Sequence, residues 1–215
     1  MPKSQIPIQL IEDDIALAHS MIGLLTTSDH SCTHYKNAEE FLNHIQNNSQ
    51  SIGLTSCIIT DVRLPTLSGI ELLSTLKKDF KACVWPVIII TGHGDIAMAI
   101  ESLQKGAFAF LTKPFDAYEL VDKVNEAISQ SQDLKKTMDF LVGYENSSAH
   151  LTEQEKIIMK YLLANKNSRE ISEELGNSIR TIEVHRASIY KKMGVHSLLQ
   201  LAQLNERYII LRDKK

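Results

Sequence analysis

The sequence predicts a two-domain chain: a doubly wound α/β domain over residues 1–128 and an all-α domain over 151–215, joined by a polar connection at 129–150. Three observations carry this. Strand-like apolar runs alternate with helical apolar spacings through the first part, as a doubly wound α/β domain requires. From 151 onward every apolar spacing is helical. The charge also changes sign: residues 1–128 carry 9 Lys+Arg against 15 Asp+Glu, net −6, and residues 151–215 carry 12 against 8, net +4. An acidic part and a basic part point to two jobs, the basic one a candidate polyanion binder, with chance fluctuation as the alternative.

The elements follow in order. Ile6 to Ile11 reads as an apolar strand, and Leu17, Met21, Leu24 and Leu25 share one face of a helix over 15–25. Ala38, Phe41, Leu42 and Ile45 repeat at i, i+3, i+4 and i+7, which predicts a second helix. Cys57–Thr60 is a buried strand, followed by a helix with Ile70, Leu73 and Leu76. Pro86–Thr91 is apolar throughout, as expected inside a parallel sheet covered on both faces. A helix through Ile96, Ala99, Ile100 and Leu103 precedes a strand at Phe108–Leu111, and another helix starts near Asp116. Leu120, Val124, Ala127, Ser131, Leu134, Met138 and Leu141 are spaced 4-3-4-3-4-3 with one polar interruption. That pattern fits either a helix running beyond the α/β domain or a short helix plus loop. GYENSSAH (143–150) reads as a flexible linker.

In the last part Thr152 and Glu155 form a capping box, and Asn165 suits the left-handed residue that ends the helix. Asn167 with Glu170 opens a second helix that ends at Leu175-Gly176. Ser178 caps a third, which runs to Met193-Gly194, and a fourth starts at Ser197. Two helices joined by a short Gly-containing turn are a helix-turn-helix pattern.

Ligands of a doubly wound sheet bind at the carboxyl ends of its strands. Four strands here end in Glu12-Asp13, Asp61, Thr91 and Lys113. Any one could be an ordinary strand-end polar residue, but four that converge on one edge make a pocket. The acids suit a hard divalent cation such as Mg²⁺, which takes oxygen ligands. A carboxylate can also be the nucleophile that forms an aspartyl phosphate, with a metal, a lysine and a hydroxyl stabilising the transferred charge.

Residues 4–130 resemble a response-regulator receiver domain. The resemblance rests on Glu12-Asp13, Asp61 with Pro65 and Gly69, Thr91 and Lys113-Pro114, and on the segments ITGHGD (90–95) and KGAFAFLTKPF (105–115), which resemble the NarL/FixJ family in particular. It implies a flavodoxin-like parallel sheet of five strands. It implies that Asp61 accepts a phosphoryl group from a sensor histidine kinase. Asp13, Asp61 and the main-chain carbonyl of Arg63 would bind Mg²⁺, with Glu12 contributing. Thr91 and Lys113 would hold the phosphoryl oxygens, Phe110 would be the switch aromatic, and the Lys113-Pro114 bond would be cis. Glu12 stands where Asp is commoner, which keeps the charge on a longer arm. Haloacid-dehalogenase-like phosphatases use a similar Asp, Mg²⁺, Thr and Lys, but place an acidic residue two positions after the nucleophile. Here that position is Arg63, so an enzyme is not expected.

On the third helix of the last part, laid out at about 100° per residue, Ile182, Ile189 and Met193 fall within about 20° of one line. Arg180, Val184, Ala187 and Lys191 fall on the opposite side. Cations, small residues and one apolar valine on an outward face suit approach to a DNA groove; a solvated helix face is the alternative. Residues 151–197 resemble a LuxR-type helix-turn-helix domain, with REIS, LG, SIRTIEVHR and KKMGV as matching blocks. The resemblance makes the helix from Ser178 the recognition helix. Glu183, Val184 and Ala187 would lie at base-reading positions. Arg180, Thr181, His185, Arg186, Lys191 and Lys192 would mostly meet phosphates, which position without specifying sequence. Asn165 stands for a usual Gly and Ile179 for a common Pro. The fourth helix, with Leu198, Leu201, Ala202, Leu204 and Tyr208 on its apolar side, resembles the family's dimerisation helix.

No apolar run approaches the ~20 residues that span a bilayer, and the N-terminus does not read as a secretory signal. The 3 cysteines, Cys32, Cys57 and Cys83, are far apart and read as reduced residues of a cytoplasmic protein. The expected partners are a sensor kinase, promoter DNA, a second copy of the chain after phosphorylation, and RNA polymerase. A constitutive DNA binder whose first domain is a structural or dimerisation module is the second reading.

Overall fold

The structure, a computed structural model, describes residues 6–47, 56–79, 85–92 and 96–213. The expectations for Cys83 and for residues 93–95 lie outside them. The first part runs β1 (Ile8–Ile11), α1 (Ile15–Thr27), β2 (Cys32–Tyr35), α2 (Ala38–Asn47), β3 (Cys57–Asp61), α3 (Gly69–Asp79), β4 (Val87–Thr91), α4 (Ile96–Gln104), β5 (Ala109–Thr112) and α5 (Ala117–Ala149). The strands form one parallel sheet in the order β2-β1-β3-β4-β5.

Strand periodicity divides the core in two, because successive side chains point to opposite faces. Ile11, Ile58 and Ile89 pack with Phe41, Ile45, Ile70, Leu73 and Leu76, so α2 and α3 cover one face. Ile8, Leu10, Ile59, Ile88 and Ile90 pack with Met21, Leu25, Leu120, Val124 and Ala127, so α1 and α5 cover the other. Every residue of β3 and β4 is buried, which is why both read as unbroken apolar runs. β2 is the strand that apolar spacing does not mark. It lies at the edge of the sheet with only Tyr35 fully buried, so it needs no apolar run.

The chain divides into two compact units, 1–135 and 136–215. The division falls inside α5, a single helix of 33 residues. This decides between the two readings of the 4-3-4 spacing, and it corrects the linker at 143–150, which is helical to Ala149. The physical reason lies in Tyr144 and Leu141. Both are buried, Tyr144 in the core of the second unit, and burying a large apolar side chain there outweighs the weak helix preference of the polar residues around them. The stripe is also not a continuous seam: Ser131 is fully buried, whereas Leu134 is 41% exposed.

The second unit continues with α6 (Glu153–Leu163), α7 (Ser168–Leu175), α8 (Ile179–Met193) and α9 (Leu198–Arg212). Thr152 and Asn167 close capping boxes with Glu155 and Glu170, and Ser178 and Ser197 cap α8 and α9. Asn165 adopts φ +61°, the left-handed conformation expected of it, and Gly176 and Gly194 end α7 and α8 in the same region. The core gathers Tyr144, Ile158, Leu162, Ile171, Ile182, Ile189, Met193 and Leu201. Among the described residues no helix is long and apolar enough to cross a membrane.

Candidate functional site

The carboxyl edge of the sheet brings the predicted pocket residues together. Glu12 follows β1, Asp61 and Thr91 end β3 and β4, and Lys113 follows β5. Register holds these ends level: Asp61 pairs with Ile90, Thr91 with Thr112, and the Lys113 amide donates to the Thr91 carbonyl at 2.7 Å. The Lys113 ammonium bonds Glu12 Oε2 at 2.9 Å and also bonds Asp61 Oδ2. Asp61 Oδ1 accepts the Arg63 amide at 2.8 Å. Glu12 and Asp61 are buried, Asp13 is exposed and Thr91 is fully buried. Phe110 is half-buried on β5 against the α2–α3 core. The Lys113-Pro114 bond is cis.

Local folding explains who takes part. Asp14, the third acid of the run, is spent as the N-cap of α1, accepting the amides of Ala16 and Leu17 at 2.9 and 3.1 Å. A Ser68–Glu71 capping pair starts α3, a signal present in the sequence as Ser-x-x-Glu. Gly69 is required by close approach: a Cβ there would stand 2.2 Å from the Asp61 carbonyl oxygen. His34 on β2 bonds the Glu12 carbonyl at 2.8 Å and so fixes the end of β1. No local pattern marks His34, since its role arises only from the pairing of β1 with β2.

Burial pushes the Glu12 carboxyl above its ordinary pKa against the pull of Lys113. Burial also works to lower the Lys113 ammonium, but its bonds to Asp61 and Glu12 outweigh this and hold it above the ordinary value. The pocket therefore already contains a cation among its acids. Oxygens of Glu12, Asp13 and Asp61 lie within 4.8 Å of one another, a hard-donor set that fits Mg²⁺.

In the second unit α8 presents the predicted outward face. Ile182, Ile189 and Met193 are buried, while Arg180, Thr181, Val184, Ala187 and Lys191 are exposed and His185 is half-buried. Three other residues are committed within the domain. Lys192 bonds Glu155 Oε2 at 2.7 Å, Glu183 accepts the Ser168 hydroxyl, and Arg186 Nε bonds the Tyr190 hydroxyl at 3.0 Å with its guanidinium over the Tyr190 ring. Lys192, expected to meet phosphates, is held here by Glu155, with its side chain 31% exposed. Its ammonium answers a carboxylate that is 3% exposed, and an unpaired buried charge would be far costlier than a lost surface contact. Glu155 also accepts Ser188 Oγ at 2.6 Å and the Thr152 amide at 2.7 Å, so one side chain ties the start of α6 to α8. Burial would raise its pKa, but these bonds lower it to about 2. The apolar side expected on α9 is turned inward: Leu198, Leu201, Leu204 and Tyr208 pack on the domain's own core, and Leu199, Ile209 and Ile210 are the apolar residues left exposed.

Comparison with known proteins finds a match for each of the two units. A family model of the response regulator receiver domain matches residues 8–125, and one of the bacterial regulatory proteins of the LuxR family matches residues 149–205. The transcriptional regulatory protein FixJ of Bradyrhizobium diazoefficiens is 35% identical over 207 residues, covering 96% of this chain and 97% of the relative. The response regulator protein TodT of Pseudomonas putida is 30% identical over 200 residues, covering 93% and 85%. Among solved structures, the response regulator StyR is similar with a TM-score of 0.85 at 27% identity, covering 95% of this chain and 100% of that one. Full-length FixJ from B. japonicum is similar with a TM-score of 0.59 at 33% identity, covering 97% and 99%. The chain belongs to the NarL/FixJ family of response regulators, transcriptional regulators with a receiver domain ahead of a LuxR-type DNA-binding domain.

Proposed function

We propose that the chain is a phosphorylation-dependent transcriptional regulator in which Asp61 accepts a phosphoryl group from a sensor histidine kinase. The supporting observation is the Asp61 carboxylate at the end of β3, 7% exposed, with Lys113 on one oxygen and the Arg63 amide on the other. In the transfer, an Asp61 oxygen bonds to the phosphorus of the kinase phosphohistidine. The P–N bond breaks and its electron pair returns to the imidazole. Glu12, Asp13, Asp61 and the Arg63 carbonyl would hold Mg²⁺, which when bound neutralises charge on the phosphoryl oxygens. Lys113 exchanges its bond to Asp61 for one to a phosphoryl oxygen, and the Thr91 hydroxyl turns to another.

The output is a population shift. Movement of Thr91 draws Phe110 inward and reshapes the surface of residues 95–112, of which 95 lies outside the described residues. That surface carries Ile100 and Leu103, 51% and 42% exposed, apolar side chains for a second copy to cover. Pairing places two α8 helices on successive half-sites of promoter DNA, with Arg180, Thr181, His185, Arg186 and Lys191 toward phosphates and Glu183, Val184 and Ala187 toward bases. The site of action is the cytoplasm, and RNA polymerase is the further partner such a regulator requires.

The test compares the wild type treated with a phosphodonor with Asp61→Asn, reading association state and DNA affinity together. The proposal requires a phosphodonor-dependent dimer with tighter DNA binding in the wild type alone. Equal values in both proteins would mean that the receiver does not control the DNA-binding domain.

A further inference from the structure

The outward face of α8 holds one residue of the wrong sign for a polyanion. Glu183 stands among Arg180, Arg186 and Lys191, with a side chain 52% exposed. A freely moving carboxylate there would repel phosphates. This one does not move freely. Its Oε1 accepts the hydroxyl of Ser168, the first residue of α7, which is itself 8% exposed and so has little freedom. The Arg186 guanidinium lies 3.5 Å from the same oxygen and offsets its charge. Among the described residues no hydrogen bond or ion pair engages the second oxygen, Oε2, and Val184, the next residue in sequence, is 64% exposed.

A carboxylate only accepts hydrogen bonds. In the major groove, the cytosine N4 amino group offers a donor alone, whereas the adenine N6 donor lies next to the N7 acceptor, which a carboxylate repels; guanine and thymine present acceptors. Resting on the reading of the second unit as a DNA-binding domain, we propose that Glu183 selects a cytosine in each half-site, with Ser168 and Arg186 as the positioning residues that aim it. Val184 next to it gives an apolar contact suited to a thymine methyl.

The test uses the full-length chain, treated with a phosphodonor, to select from a randomised double-stranded DNA library that is then sequenced. The wild-type pool should be enriched in cytosine at one position of each half-site. Glu183→Gln should shift that position toward adenine, because an amide pairs with both N6 and N7. Glu183→Ala, which adds no contact, should randomise it while keeping the rest of the consensus. Ser168→Ala should keep the cytosine but lower its discrimination about ten-fold, the scale of a well-made base contact. A wild-type consensus without cytosine, or the same cytosine enriched with Glu183→Ala, overturns the inference and leaves the DNA-binding reading intact. Unchanged discrimination in Ser168→Ala overturns the positioning role. A wild type that enriches no sequence overturns the DNA-binding reading itself.

Discussion

Glu155→Gln isolates the bond that joins α6 to α8. The carboxyl is held near pKa 2 from an ordinary 4.5, with its side chain 4% exposed, by Lys192, Ser188 and Thr152. A carboxyl held this far below its ordinary range favours the charged form in the native state by about 3 kcal/mol. The sign follows from a folded pKa below the unfolded one. The contribution is complete above pH 4.5 and is lost as the pH falls from there toward 2. Glutamine keeps the length and one acceptor but gives up the charge that Lys192 answers. It should therefore destabilise the second unit by about 2–3 kcal/mol at pH 7, within the range for breaking a buried pair that keeps other hydrogen bonds. Hydrogen exchange read by mass spectrometry reports opening of α6 and α8 apart from β1–β5, and only the former should open more easily. The gap between wild type and variant should narrow below pH 4.5. A gap under about 0.5 kcal/mol, or one that does not change with pH, would refute the assignment, since a surface substitution gives no more than that.

Gly69→Ala should slow phosphorylation of Asp61 at least ten-fold and cost about 1–3 kcal/mol, because its Cβ would stand 2.2 Å from the Asp61 carbonyl oxygen and backbone must move; rates of labelling with a small phosphodonor check this. Lys113→Ala should bind Mg²⁺ about five- to ten-fold more tightly by calorimetry, since removing a cation from among three acids leaves more charge for the ion to answer. A fragment of residues 136–215 should be more stable in urea than one of 151–215 by about 2–3 kcal/mol, the upper value for burying Tyr144, whose ring also stacks on Tyr208 at 4.0 Å. Lys191→Ala should reduce the salt slope of DNA binding by about 1, while Lys192→Ala changes it little because its ammonium is held by Glu155.

What the sequence disclosed follows from which forces are local. β3 and β4 are buried on both sides, so their apolar runs announce them, and polar residues that end such runs on one edge announce the pocket. Capping is local too, and Thr152, Asn167 and Ser178 were legible for that reason. β2 was not, because an edge strand with Thr33 exposed needs no apolar pattern. The polar stretch 143–150 concealed a helix anchored by a tyrosine whose core partners lie in α6 to α9. The partners of Lys192 and Glu183 are 37 and 15 residues away in sequence, on other helices, and no periodicity within α8 could reveal them. On α9 the spacing located an apolar side correctly but could not say whether it faced the domain's own core or a second copy; it faces the core.

The most direct test of the central claim is the intact mass of the purified protein after incubation with acetyl phosphate and Mg²⁺, beside Asp61→Asn. The account predicts a gain of one phosphoryl group in the wild type and none in the variant. No gain in either protein, or an equal gain in both, would contradict Asp61 as the acceptor.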